Sequence, residues 1–519
     1  MKKIYCLAIG IFIRVTLHAQ STDSLVHFSE LTFHSDFERE TFQRFHKGDI
    51  DLFALFIANG SLLPTEKITE KRESFYNYVN LLGNESAGKK TEKKIKTLYD
   101  NLHSKYLVKY ELVNHFEDIF YNGNFNCVSA TAMYALTFDK LQIPYSIKEE
   151  PTHVYLVAYP NAERIVLQTT SPLGGYYTLS DAFKQDFVKR LKEQKLISAQ
   201  EYTSQDSKAL FDKYYFGTDK EVSLQQLAGL QYVNDALYKT DDKKTEEAFA
   251  QMEKAYILYP SARTTQLLYY IATMAFDAHK VRDSTHAVLL SKLARYKDFG
   301  LEPEMIVGEF IRTTQDLLFG SARKQQYEQY YSILTHSITN QKIKDELAYV
   351  YNYESGRYLY NQARTKDALS FLEKALILKP NDVDAQALFI AALAQTFNSK
   401  NNNQDIIKTL DDYNTRFTGL QANNHFNAMR ATAYLIQFNT SYATNKISEG
   451  DKYKTLFESV ANQYPDLTID SDLIGQSYSN AAVYYYRKGQ VSKARQFLSS
   501  GLKYAPNNYE LISRQQMIR

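Results

Sequence analysis

Three stretches of the chain repeat one spacing of small residues followed by a proline. The intervals are 12, 7 and 5 residues in each stretch. The positions are Ala236, Ala248, Ala255 and Pro260, then Gly356, Ala368, Ala375 and Pro380, then Ala482, Ala494, Gly501 and Pro506. Small residues let two antiparallel helices approach closely, and a proline ends the second helix before the next pair begins. The spacing predicts stacked helix pairs over about residues 206 to 519.

This pattern resembles the tetratricopeptide repeat. Tyr232 and Tyr478 stand four residues before the first small residue, whereas Asn352 departs from that rule. Lys379-Pro380-Asn381 and Ala505-Pro506-Asn507-Asn508 are typical helix ends of this repeat. The resemblance implies an all-α solenoid, and solenoids offer concave surfaces that hold peptides or protein partners.

Composition and charge agree with a helical, exported protein. Gly and Pro number only 19 and 10 in 519 residues, which favours long helices. A net charge of +2, with lysines scattered among acidic residues, gives no sign of nucleic-acid binding. The first 20 residues combine Lys2 and Lys3, an apolar run from Ile4 to Ile13, and Ala19. This pattern predicts a bacterial signal peptide and a periplasmic or secreted mature chain without a transmembrane segment.

Residues 21–110 have the spacing of helices and form a predicted helical lead-in to the next segment. Within it, the run from Gly83 to Lys90 nearly spells a phosphate loop, but Lys90 stands where Ser or Thr must hold magnesium. The eleven histidines include no His-Glu-x-x-His pattern. We therefore expect neither a cofactor nor a metal ion.

Residues 111–205 change character, from helix to short strands. A helix is predicted from Cys127 to Leu141, ended by the Ile143-Pro144 dipeptide. Two β-rich runs follow, Thr152 to Tyr159 and Arg164 to Thr170, joined by the hairpin signal Pro160 to Glu163.

Cys127 is the one thiol that would remain after removal of a signal peptide carrying Cys6. The start of a helix favours a thiolate, and its free N–H groups can hold an oxyanion. A thiolate that attacks an amide also needs an imidazole, which His153 can provide. Tyr121 and Asn124, just upstream, are further candidates for holding the oxyanion.

The hairpin register selects a third residue. If Pro160 pairs with Glu163, opposite residue numbers sum to 323, so His153 faces Thr170 and Gln168 is its diagonal neighbour on the same face. Gln168 is then the favoured residue to orient the ring, with Thr170 as a possible helper. A three- or five-residue loop would instead offer Thr169 or Ser171.

A cysteine at a helix start, a histidine on a strand and a polar residue on the next strand resemble the transglutaminase-like cysteine-enzyme superfamily. The matching pieces are Asn126-Cys127 with Ser129-Ala130, Ile143-Pro144, Thr152-His153-Val154-Tyr155 and Thr169-Thr170-Ser171-Pro172. The resemblance implies acyl transfer through a thioester. The family usually carries Asp as the third residue, but here no Asp lies between His153 and Asp181.

Together these features predict an α+β transglutaminase-like domain, with helices and a small antiparallel sheet, followed by the solenoid. The expected function is that of a cysteine-dependent peptidase, amidase or transglutaminase-like enzyme, with Cys127, His153 and Gln168 in the site. The alternative is a catalytically inactive domain whose repeats bind peptides or proteins as an envelope scaffold.

Overall fold

A computed structural model describes residues 24–150, 152–171, 175–178, 181–193, 197–211, 213–214, 220–296, 299–397 and 402–518. The predicted signal peptide, residues 1–20, lies outside them. The chain divides into two compact units, one of Met1–Val281 with Val288–Leu301 and one of Arg282–Ala287 with Glu302–Arg519. The strand-containing region and the first predicted helix pair thus belong to the same unit.

The first unit begins with short helices and continues into the first repeat-like pair. Its helices are α1 (Asp36–His46), α2 (Leu52–Ile57), α3 (Thr65–Glu85), α4 (Thr91–Tyr106), α5 (Asp118–Tyr121), α6 (Cys127–Lys140), α7 (Asp181–Glu193), α8 (Ala199–Ser204), α9 (Ser207–Phe211), α10 (Leu224–Asp241), α11 (Thr245–Leu258) and α12 (Ala262–Ala278). Helix α13 (Ser284–Leu293) contains residues of both units. Helix α6 is the central element of this unit, because Val128 to Phe138 are all buried.

The described residues of this unit also form two sheets. The strands are β1 (Lys109–Tyr110), β2 (Asn124–Phe125), β3 (Tyr145–Glu149), β4 (Val154–Ala158), β5 (Ile165–Leu167), β6 (Tyr176–Thr178) and β7 (Lys220–Val222). β1 and β2 form a parallel pair, and the other five form an antiparallel sheet in the order β6-β5-β4-β3-β7. The sequence did not predict β7, which lies beyond residue 205 and pairs with the edge of β3.

The hairpin of β4 and β5 has the predicted register. Leu156 pairs with Leu167, and Ala158 pairs with Ile165, so opposite numbers sum to 323. The strands are shorter than predicted at both ends. Ser171 N donates to Gln168 O at 3.0 Å, and this turn takes Thr169 and Thr170 out of the ladder. Both faces of the hairpin are buried.

The second unit is helical throughout its described residues. Its remaining helices are α14 (Pro303–Thr314), α15 (Lys324–Ser337), α16 (Gln341–Asn361), α17 (Thr365–Leu378), α18 (Val383–Thr396), α19 (Asn403–Arg416), α20 (Thr418–Gln421), α21 (Asn424–Ala443), α22 (Ile447–Gln463), α23 (Ser471–Arg487), α24 (Val491–Tyr504) and α25 (Tyr509–Met517), with a π-helical turn at Gln315–Gly320. Consecutive helices pack in pairs, as in a solenoid.

The repeated small residues lie where these pairs meet. Gly356 of α16 faces α17 so closely that an added Cβ would lie 2.7 Å from Leu372 Cγ. Gly501 of α24 is equally close to Tyr478 of α23, at 2.8 Å from its Cβ. Pro380 and Pro506 each follow the residue that caps the second helix. The predicted reason for the spacing, close approach followed by a stop, is confirmed.

The coarse fold class is as predicted: the chain is mostly helical, with a small antiparallel sheet in its first unit. Within the described part of the chain, no helix is both long enough and apolar enough to cross a membrane.

Candidate active site

A capping network places Cys127 as the first residue of α6. The Asn126 side chain accepts from Ser129 N at 3.0 Å, and Ser129 Oγ accepts from Asn126 N at 2.9 Å. Ser129 Oγ also donates to Asn114 Oδ1 at 2.7 Å, which ties the cap to the preceding loop. Among the described residues, the N–H groups of Cys127 and Val128 have no hydrogen-bond acceptor. The positive end of the helix and two free donors therefore surround the thiol.

His153 lies between Cys127 and Gln168. Its Nε2 is 2.8 Å from Gln168 Oε1, and Cys127 is near enough to the ring to act on its pKa. The hydrogen bond with Cys127 raises the pKa of His153, burial opposes this, and the hydrogen bond with Gln168 raises it further. His153 thus interacts with both Cys127 and Gln168.

The backbone of Gln168 is held on both sides. Its N–H donates to Gly175 O at 2.5 Å, and its carbonyl accepts from the Tyr99 hydroxyl at 2.9 Å. A Cβ on Gly175 would lie 2.0 Å from the Tyr99 hydroxyl oxygen, so this position requires glycine. These contacts fix the point from which the Gln168 amide reaches the His153 ring.

Cys127 and His153 open into a cleft with a volume of about 300 Å³. Its lining comes from the loop after β1, the start of α6, the end of β3 and helix α10. The residues are Tyr110, Leu112, Asn126, Cys127, Val128, Glu149, Glu150, Thr152, His153, Val154, Leu230, Asn234, Leu237, Tyr238, Asp241 and Arg263. The spacing of the five α10 residues, from Leu230 to Asp241, is that of one helix face. The first repeat-like helix therefore forms a wall of the cleft.

Two tyrosines flank the thiol. Burial, and then the nearby charge of Cys127, raise the pKa of Tyr238 to about 12. The same two causes raise the pKa of Tyr110. The Tyr238 hydroxyl donates to Leu112 O at 2.5 Å, which fixes α10 to the loop beside the cap.

A buried carboxylate supports the far side of the cleft. Glu149, at the end of β3, accepts from the Tyr259 hydroxyl at 2.6 Å and from Arg263 Nη1 at 3.0 Å. Tyr259 directly follows α11 and Arg263 lies in α12, so this network links the sheet to these two helices. The positive charge of Arg263 lies against the negative charge of Glu149.

Three predicted helper residues lie away from the cleft lining. Tyr121, at the end of α5, is 61% exposed, and Asn124 lies in β2, where its N–H is bonded to the Asn122 side chain. Thr170 lies in the turn after β5, and among the described residues its hydroxyl makes no hydrogen bond with His153. The alternative Thr169 is buried and bonded to Thr131 at 2.9 Å. The structure brings together Cys127, His153 and Gln168, but not these helpers.

Sequence reasoning missed the part of the cleft formed by α10. The one available signal was the helical spacing of Leu230, Asn234, Leu237, Tyr238 and Asp241, which the sequence analysis did not use. Among the described residues, no three His, Cys, Asp or Glu side chains are grouped in a way that could hold a metal ion.

The chain matches no model of a known protein family, and no curated protein is significantly similar to it.

Proposed function

We propose that this protein is an exported cysteine-dependent acyl-transfer enzyme, with a transglutaminase-like domain and tetratricopeptide-like repeats. The observation that carries the proposal is the grouping of Cys127 and His153 in one cleft, with the Gln168 amide 2.8 Å from the His153 ring. Its support comes from the thiol at a helix start, the imidazole beside it and the open cleft around both. Export rests on the signal-like pattern of the first 20 residues.

In the first half of the reaction, the Cys127 thiolate attacks the carbonyl carbon of a peptide or amide. The negative charge that develops on the carbonyl oxygen is stabilised by the N–H groups of Cys127 and Val128. The C–N bond then breaks, and imidazolium His153 gives its proton to the leaving amine. A thioester on Cys127 and a neutral His153 remain.

In the second half, water or an amine enters the cleft and attacks the thioester. His153 takes a proton from this nucleophile, the C–S bond breaks, and the thiolate and imidazolium are restored. Gln168 accepts a hydrogen bond from the ring and so fixes its orientation through both halves. The chemistry uses one thiol, one imidazole and the backbone.

The helical repeats supply a scaffold for a peptide or protein partner in this proposal. The paired packing of consecutive helices supports it, since solenoids present extended binding surfaces. Helix α10, which forms a wall of the cleft, is the part of this scaffold that lies beside the reacting groups.

One observation favours a second function. Gln168 is neutral, so it orients the imidazolium without stabilising it by charge. A domain with this residue and a helical-repeat scaffold also fits a catalytically inactive, peptide-binding or protein-binding envelope scaffold.

Alkylation of Cys127 separates the two functions. A thiolate held by His153 reacts with iodoacetamide at pH 6 at least about tenfold faster than an ordinary cysteine, which is mostly protonated there. The full chain is labelled over a pH series and the Cys127 peptide is quantified by mass spectrometry. His153→Ala should remove the advantage. Slow labelling of folded wild type that becomes fast on denaturation would contradict the enzymatic proposal.

A further inference from the structure

Among the described residues that line the cleft at Cys127, acidic side chains outnumber arginine and lysine. Glu149, Glu150, Asp241 and Arg263 line it, together with His153. Arg263 is bound to Glu149, so this pair cancels. A thiolate on Cys127 and a proton on His153 also cancel. Two negative charges remain, one from Glu150 and one from Asp241.

Glu150 and Asp241 are open to solvent within the cleft. Glu150 directly follows β3, and Asp241 is the last residue of α10. Both are exposed, and no salt bridge within the described ranges involves either of them. Glu150 is near enough to His153 for its charge to act on the ring. Two unneutralised carboxylates therefore stand at the reacting centre or its rim.

Two aromatic rings also favour a cation in the cleft. Tyr110 and Tyr238 line the cleft beside Cys127. The face of a tyrosine ring attracts ammonium and guanidinium groups. Carboxylates and aromatic faces together suit a cation and repel an anion.

We propose that the cleft selects substrates that carry a positively charged nitrogen group, the ammonium of lysine or the guanidinium of arginine, next to the acyl group that Cys127 attacks. This inference rests on the proposed function and adds a substrate class to it. Glu150 and Asp241 act as specificity residues: they bind the cation without taking part in the bond changes.

Charged thiol reagents measure this preference without a known substrate. The full chain is treated at low ionic strength with three methanethiosulfonates of similar size, bearing trimethylammonium, hydroxyethyl and sulfonate groups. The measured quantity is the rate with the cationic reagent divided by the rate with the anionic reagent, normalised by the same ratio for free cysteine. We expect this normalised ratio to be on the order of ten. A normalised ratio near one would overturn the proposal.

Charge-removing variants assign the effect to the two carboxylates. Glu150→Gln with Asp241→Asn should bring the normalised ratio close to one. The matched control is Glu73→Gln with Glu163→Gln, which removes two exposed carboxylates that do not line the cleft. The control should keep the wild-type ratio. An unchanged ratio in the Glu150/Asp241 variant would contradict the proposal, as would an equal loss in the control.

Peptide protection extends the test to the substrate class. Capped Gly-Lys-Gly should slow the neutral reagent at Cys127 more than capped Gly-Gln-Gly, and capped Gly-Glu-Gly should slow it least. Equal protection by all three would overturn the proposal. The neutral reagent alone reports thiolate reactivity, so loss of the proposed function appears in its rate and loss of charge selection appears in the ratio. No reaction with any reagent would contradict both.

Discussion

Nε2 of His153 lies 2.8 Å from Oε1 of Gln168, at the position where many cysteine and serine enzymes place a carboxylate. An amide there fixes the ring but adds no negative charge. Cys127 raises the pKa of His153 more than Gln168 does. The protonated form of the ring therefore depends more on Cys127 than on Gln168.

Replacing Gln168 by alanine should slow alkylation of Cys127 at pH 6. Loss of one hydrogen bond of about 1 kcal/mol corresponds to roughly a fivefold slower rate. Gln168→Glu should keep or increase the rate, because a carboxylate stabilises the imidazolium. The measurement is the iodoacetamide rate at Cys127 for each variant.

Thr170→Ala is the matched control for this series, since Thr170 faces His153 in the extrapolated register but lies in a turn. We expect its rate to stay within about twofold of wild type, a difference below about 0.5 kcal/mol. Wild-type labelling of Gln168→Ala would show that the amide does not hold the ring.

Gly356→Ala should destabilise the second unit. The new methyl group would lie 2.7 Å from Leu372 Cγ, in a buried contact between α16 and α17. Overpacking costs about 1–3 kcal/mol, and the better helix propensity of alanine offsets about 1 kcal/mol of it. We expect a net loss of up to about 2 kcal/mol in the free energy of unfolding, measured by urea titration.

Gly308→Ala is its control, because Gly308 lies in helix α14 with nothing within 4 Å of an added Cβ. Here propensity acts alone, and we expect a gain of up to about 1 kcal/mol. Effects of the same sign and size in both variants would contradict the role of Gly356 in close helix packing.

His115 should make folding of the first unit sensitive to pH. Its ring lies 3.0 Å from Asp235 of α10. Burial acts to lower the pKa of His115, but the hydrogen bond and charge of Asp235 outweigh it, so the pKa is raised. Because the pKa of His115 is higher in the folded than in the unfolded protein, its ion pair stabilises the fold fully below about pH 6.5, the pKa of an unfolded histidine. This stabilisation is lost as pH rises through the pKa of His115 in the folded protein.

Urea titrations at pH 6 and pH 8 check this for wild type and His115→Gln. Wild type should lose more stability between the two pH values than the variant, because glutamine does not titrate. The comparison removes the contributions of the other histidines. Equal losses in the two proteins would show that the ion pair contributes nothing to the pH dependence.

Local patterns allowed much of the fold to be predicted. The Pro160 to Glu163 turn set the register of β4 and β5, since a side-chain period of two leaves one favoured pairing. The repeated small residues predicted the helix pairs because close approach of two helices requires small residues at the contact. Strand β7 was missed, since three residues paired with a distant edge leave no periodic signal.

The candidate site was also predictable only in part. Cys127, His153 and Gln168 were predictable because a helix start and one hairpin position them locally. Tyr121 and Asn124 were expected near the thiol from their nearness in sequence, but α5 and β2 direct them elsewhere. The residues of α10 approach Cys127 through packing across more than 100 positions, which no local pattern encodes.

The most direct test of the central claim, a coupled Cys127 and His153, is an NMR titration of the His153 ring. We expect a pKa above the ordinary value of 6.5 in wild type, since the hydrogen bond with Cys127 is its largest cause. In Cys127→Ala the pKa should fall, because burial then opposes the proton with less compensation. A wild-type pKa at or below 6.5, or the same pKa in the two proteins, would contradict the account.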